Sequence, residues 1–436
     1  MKKLFILTVL CPFLMVSQHK IEGNFQPVTD YTYAFLYHST PTGSNYIDRA
    51  ELDEKGDFSI SFDSTTGPGI YKIVYALPPE ENNFDFIYNG KEDISFTYSD
   101  DKGLEFTASN ENKLWSSYTK SMELVNMTIS NFYTQESTDK KAFKDIFKTL
   151  KDTQTAFEDA SKGTMANVFI VANRPYVPTE YEDISTYSAN LKASYLKHVD
   201  FKSVLLQSSD FLTDRVLAYV FGMSASTSNE THLKDIDTLM SYMNGVDTTV
   251  KVSLLELIWH RFSTLQNDDV ANAITDKYLF GLAKATHNDQ LAEYISVYKN
   301  NSIGKKAHNF DIAISKNGTT TTTSLHDLNS AEHYIVVFWS STCGHCLEEL
   351  PKLKQLMASK PDYKVIAVGL EDENTNWQKQ IANYPDFIHV LGLGKWDNPI
   401  SNAYGVGSTP SYFVLDKNKI ITAKPYDVEA LTTLLK

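Results

Sequence analysis

Cys343 and Cys346 stand three residues apart in Thr342-Cys343-Gly344-His345-Cys346-Leu347. Two thiols at that spacing on one helical turn can pass reversibly between dithiol and disulfide, which is the chemistry of thiol–disulfide exchange. The attacking species is a thiolate, and a free cysteine near pKa ~8.5 is mostly protonated at neutral pH. The start of a helix corrects this, because its unpaired N–H groups and positive dipole end favour an anion at Cys343. Cys343 is therefore the expected attacker, and Cys346, one turn inward, the thiol that resolves the mixed disulfide. A protonated His345 between them would stabilise the thiolate further and make the pair more oxidising.

Other uses of a Cys-x-x-Cys fit less well. A closed zinc site needs four ligands, and no second pair lies nearby. Haem attachment needs His after the second cysteine, where this chain has Leu347. A structural disulfide closing so short a loop would constrain the unfolded chain little. A peroxidatic site wants a Thr-x-x-Cys pattern, against which the chain offers Ser340-Ser341-Thr342-Cys343. No metal or cofactor is expected beyond the cysteine pair itself.

The pair follows an apolar strand, Tyr334 to Trp339, and opens a helix carrying Leu347, Leu350, Leu353 and Leu356 on its inner side. Around these lie a strand near Phe310 to Ile314, a Thr-rich segment Thr319 to Thr323, a strand Tyr363 to Leu370 and a helix near Thr375 to Asn383. Strands Ser411 to Leu415 and Lys419 to Ala423 and a last helix Val428 to Leu435 complete an α/β layer structure. Upstream the rhythm differs. From His19 to Phe106 short alternating runs such as Phe58 to Phe62 and Ile94 to Tyr98, separated by turn formers, predict a small antiparallel β-sandwich or barrel. Leu114, Tyr118, Met122, Val125, Ile129 and Phe132 then recur at helical spacing and open an all-helical middle. The expected division is a leader over 1–17, a β-domain over 18–110, a helical domain over 111–302 and a redox domain over 303–436.

Met1-Lys2-Lys3, the apolar run Leu4 to Val16, and Ser17-Gln18 have the order of a cleavable secretory signal. The apolar run is too short to span a bilayer as a helix. Cys11, the one cysteine of the chain besides this pair, would leave with the signal, and the mature chain would fold in the periplasm or cell envelope, where disulfides are permitted. With 40 basic against 54 acidic residues, the formal charge of −14 disfavours nucleic acid and anionic lipid surfaces as partners.

Residues 303–436 resemble the thioredoxin-like bacterial envelope proteins of the TlpA and ResA type. The resemblance rests on Phe338 to Cys346, Pro351 eight residues after the first cysteine, Gly369-Leu370-Glu371, Trp396 to Ile400, and Tyr404 to Pro410. It implies a thioredoxin fold, a cis Thr409-Pro410 bond beside the cysteines, and Thr409 and Pro410 as the place where a substrate strand pairs. It further implies that Glu371 takes the proton of Cys346 during resolution. Val337 stands where cytoplasmic thioredoxin has a buried Asp, and Thr342 where a tryptophan is usual. The family implies a reductase of protein disulfides fed by a membrane donor of the DsbD type, whereas the Gly-His dipeptide resembles that of the more oxidising disulfide isomerases. The alternative function is an envelope binding protein that keeps the redox domain as scaffold or sensor.

Overall fold

The computed structural model describes residues 19–436 except 64–65, 224–225 and 317–318. The expected leader over 1–17, with Cys11, lies outside the described residues. The chain divides into two compact units, with the boundary between Leu254 and Leu255.

The first unit begins with eight strands: β1 (Lys20–Gln26), β2 (Tyr33–Thr40), β3 (Gly43–Glu51), β4 (Asp57–Ser61), β5 (Gly69–Val74), β6 (Asn83–Tyr88), β7 (Ile94–Ser99) and β8 (Gly103–Ala108). They form two four-stranded sheets, β4-β1-β7-β8 and β3-β2-β5-β6. Along β4, Phe58 and Ile60 turn inward and their neighbours outward, so the sheet has one apolar face. The inner faces of the two sheets close on a shared core that includes Phe25, Phe58, Tyr71, Phe86 and Phe96. The result is a β-sandwich. One pairing departs from the antiparallel expectation, since β1 runs parallel to β7, with Ile21 opposite Ile94. Only strands far apart in the chain can pair this way, because a parallel neighbour needs a long crossover, here the whole of β2 to β6. Gly23 makes the packing around β1 feasible, because a Cβ there would lie 2.3 Å from the Phe58 ring and 2.4 Å from that of Phe96.

The helical region follows as α1 (Asn110–Thr134), α2 (Lys140–Ala160), α3 (Ala166–Ala172), α4 (Ile184–Ser194), α5 (Val204–Gln207), α6 (Asp210–Leu217), a π-helical turn Ala218–Gly222, and α7 (Asn229–Tyr242). The apolar stripe read along α1 is buried at Tyr118, Met122, Ile129 and Phe132. Next, α8 (Thr248–Thr264) contains the boundary between the units, so the helices of the middle region are shared between them.

The second unit continues with α9 (Asp268–Ile274), a π-helical turn Thr275–Leu279, α10 (Phe280–Ala285) and α11 (Asp289–Asn300). There follow β9 (Asp311–Lys316), β10 (Thr319–Ser324), β11 (His333–Trp339), α12 (Gly344–Met357), β12 (Tyr363–Glu371), α13 (Thr375–Ile381), β13 (Ile388–Leu393), α14 (Pro399–Tyr404), β14 (Ser411–Asp416), β15 (Ile421–Ala423) and α15 (Val428–Leu434). The central sheet has the order β13-β12-β11-β14-β15. Strands β11, β12 and β13 are parallel, while β14 and β15 are antiparallel to their neighbours. This is the thioredoxin-like arrangement. After His333, β11 is apolar because both its faces are covered: Tyr334, Val336 and Phe338 enter one core, Ile335, Val337 and Trp339 the other. Gly369 on β12 is required by a close approach, since a Cβ would fall 2.3 Å from the Trp377 indole nitrogen.

Within this unit the helices are tied to the sheet domain by Asp268. Its buried carboxylate accepts from Tyr298 Oη at 2.5 Å, Ile303 N–H at 2.8 Å and Lys424 Nζ at 3.0 Å. Asn301 Nδ2 adds a bond to the Ala403 carbonyl at 2.7 Å. A buried ion pair is costly to break from one side, because the remaining charge is left without its counter-ion. Asp268→Asn is therefore expected to destabilise the second unit by about 3 kcal/mol in urea unfolding. Adding Lys424→Met should recover part of that loss, and a double variant no better than the single one would show that the pair is not the source.

Candidate active site

β11 carries the chain to Ser340, and the loop Ser340–Thr342 hands it to α12, of which Cys343 is the N-cap residue. The Cys346 N–H donates to Cys343 Sγ at 3.2 Å. The Cys343 sulfur thus sits where the helix presents its unpaired donors. The Cys343 thiol in turn donates to the Thr409 carbonyl at 3.4 Å. Burial pushes the Cys343 thiol up, but hydrogen bonding to Cys346 and Thr409, joined by the Cys346 and His345 N–H groups, outweighs it and leaves the thiol below its ordinary value. Cys346 is fully enclosed, and burial first, then its bond to Cys343, push its thiol up to about 12. The pair is thus asymmetric: one thiol is lowered and the other is raised.

Thr409 and Pro410 come to this site, and the bond between them is cis. Thr409 is half-buried and Pro410 buried, with the Thr409 carbonyl turned to Cys343. His345 acts on the sulfur through its backbone N–H, while its side chain is exposed. Glu371, at the end of β12, is only 2% exposed. Its carboxylate accepts from the Ser341 N–H at 2.5 Å, Ser341 Oγ at 3.0 Å and Ser340 Oγ at 3.4 Å. It holds the loop that precedes Cys343, and Ser340 in turn has a backbone bond that acts on Cys346.

The structure adds a carboxylate that sequence reasoning passes over. Glu349, 3% exposed, lies on α12 three residues after Cys346 and accepts from the Val428 N–H and Lys352 Nζ, both at 2.8 Å. Burial opposes its ionisation, yet Lys352 and Val428 hold it below the usual carboxylate range. Tyr412 on β14 is buried beside it. Burial, then the charges of Glu349 and the two cysteines, raise its phenol, and its Oη has no hydrogen-bond partner among the described residues. A signal for Glu349 is present: residues three apart on a helix share a face, so an acid at that position has to enter the stripe occupied by Leu350 and Leu353.

Residues 302–432 match the family model described as Redoxin. The C-terminal domain is a redoxin. Among curated proteins it is similar to the thiol-disulfide oxidoreductase ResA of Geobacillus thermodenitrificans. The identity there is 28% over 125 residues, covering 25% of this chain and 71% of the relative. Among solved structures, a thioredoxin-like protein from Bacteroides caccae is 18% identical with a TM-score of 0.42, covering 60% of this chain and 96% of that one. A domain of a possible thiol-disulfide isomerase from Cytophaga hutchinsonii is 33% identical with a TM-score of 0.26, covering 30% of this chain and 90% of that one.

The redoxin domain's thiol asymmetry has a direct readout. Because only thiolate is alkylated, the rate of iodoacetamide modification should rise with pH through a midpoint below the ordinary thiol value, and Cys343 should carry the label. Cys346 should stay unlabelled until the pH nears about 12. Equal labelling of both sulfurs near neutrality would contradict the structure. For the loop, Glu371→Ala leaves the buried Ser341 N–H unmet and is expected to cost about 1–3 kcal/mol of stability. An unchanged urea midpoint would mean that the carboxylate does not hold the loop.

Proposed function

We propose that the protein is a secreted thiol–disulfide oxidoreductase that reduces disulfides in protein substrates. The observation that carries the proposal is the asymmetric pair at the start of α12: a Cys343 thiol lowered by its hydrogen bonds with Cys346 and Thr409 and by the helix N–H groups, above a buried Cys346 thiol pushed up to about 12. Cys343 thiolate attacks a substrate S–S bond, forms the mixed disulfide and releases one substrate thiolate. Cys346 then gives up its proton and attacks the Cys343 sulfur, releasing the second substrate thiol. The substrate gains two electrons, and the Cys343–Cys346 disulfide forms in the redoxin domain. The substrate backbone would lie against Thr409 and Pro410, beside the carbonyl that already faces the attacking sulfur.

The exposed side chain of His345 supports reduction over oxidation. A protonated ring held against the sulfur would stabilise the reduced form and make the pair more oxidising. Here the sulfur's partners are instead its helix N–H groups, Cys346 and Thr409. Secretion to the periplasm or envelope rests on the leader read over residues 1–17. Among the described residues no helix is long and apolar enough to cross a membrane. A reductase in that compartment needs electrons delivered to it, which fits a membrane donor of the DsbD type, and the exchange itself draws on the cysteine pair without a further cofactor.

Equilibration of the full chain against glutathione, with thiol trapping, tests this. A potential near or below about −250 mV is expected. A value of about −180 mV or higher would reverse the direction to oxidation or isomerisation, and a pair that does not interconvert at all would remove the exchange function.

A further inference from the structure

Arg215 on α6 is 8% exposed, and among the described residues no carboxylate is paired with its guanidinium. A buried charge without a counter-ion is rare, because desolvation is repaid only by an opposite charge or a full set of hydrogen bonds. A guanidinium has five N–H donors in a planar fork. Here one meets Asn173 Oδ1, another donates to the Tyr195 carbonyl at 2.8 Å, and Nε has no partner. The guanidinium carbon lies 3.8 Å from the centre of the Tyr195 ring. Stacking of this kind is favourable for a cation and fixes the plane of the fork. The groups that act electrostatically on it, Tyr195 and Tyr118, are phenols rather than carboxylates. The nearby carboxylates are not bonded to it: Glu158 forms a bidentate pair with Arg174, and Glu182 accepts through Oε1 from Tyr176 Oη and Asn190 Nδ2, its buried Oε2 having no partner among the described residues.

Arg215 is among the residues lining a cleft of about 610 Å³ in the helical part of the first unit. Tyr133, Tyr176, Tyr187 and Tyr195 supply aromatic walls, with Ile129 and Leu191 between them. The volume is that of a site for a small organic molecule, mostly apolar with a few convergent polar groups. A planar fork held in place by stacking, with donors to spare, is matched by the two oxygens of a carboxylate.

The geometry points to a binding site for a small monocarboxylate with an aromatic body, its carboxylate on Arg215 and its ring among the cleft tyrosines. This would give the N-terminal unit a ligand-binding function of its own, independent of the exchange chemistry. The test compares 3-phenylpropionate with its uncharged amide by calorimetric titration of the full chain. The acid is expected to bind saturably, at least about tenfold more tightly than the amide, and Arg215→Met should abolish that preference. If Arg215→Met fails to fold, Leu191→Trp fills the cleft without touching the guanidinium and should remove binding of the acid. Equal affinity for acid and amide, no saturable binding of the acid, or undiminished binding in a folded variant would each overturn the site.

Discussion

The hydrogen bond from the Cys346 N–H to Cys343 Sγ, at 3.2 Å, is the contact on which the rest of the redoxin domain depends. It exists only if the chain leaves a strand and enters a helix within a few residues, so that a sulfur takes the place an N-cap oxygen usually fills. β11 provides the rigid approach, buried on both faces. Glu371 secures the loop from the neighbouring strand, and Glu349 secures α12 to the start of α15. Each of these carboxylates accepts from a backbone N–H and from neighbouring side chains, the Ser340 and Ser341 hydroxyls for Glu371 and Lys352 for Glu349. The electrostatics of the pair thus combine burial, the contact between the two sulfurs and N–H groups placed by packing, with Thr409 closing the site at the entry to β14.

Much of this is legible in the chain. The double-faced apolar strand, the Cys-x-x-Cys at a helix start and the leucine stripe each carry a period that backbone geometry imposes, and they lead to the thioredoxin-like domain. What escapes has lost its period. β1 gives little signal because Gly23 interrupts the inward positions held by Ile21 and Phe25, and glycine stands there because two rings from other strands need the space. β3 is exposed along almost its whole length, so no alternation marks it. β13 is a short edge strand interrupted by Gly392, and the Asn398-Pro399 start of α14 reads equally well as a turn.

The site divides in the same way. Cys343 and Cys346 are readable from spacing because exchange chemistry itself dictates the spacing. The partners of Glu371 are not, since they depend on which loop the end of β12 meets in three dimensions. Arg215 lies further from view: it sits between Leu212 and Val216 on a short helix, where a lone cation reads as an exposed position. Its burial comes from the helices that close around it.

The unequal setting of the two sulfurs also governs how the molecule withstands oxidants. Peroxide reacts with thiolate, so damage falls first on Cys343 and yields a sulfenic acid there. A second thiol enclosed one turn away, hydrogen-bonded to the same sulfur, can condense with that sulfenic acid to a disulfide and expel water. Condensation competes with the irreversible climb to sulfinic and sulfonic acids. The enclosure that keeps Cys346 protonated therefore also keeps it intact as the rescuing partner, and an oxidative insult ends in the disulfide that the next reductant can open.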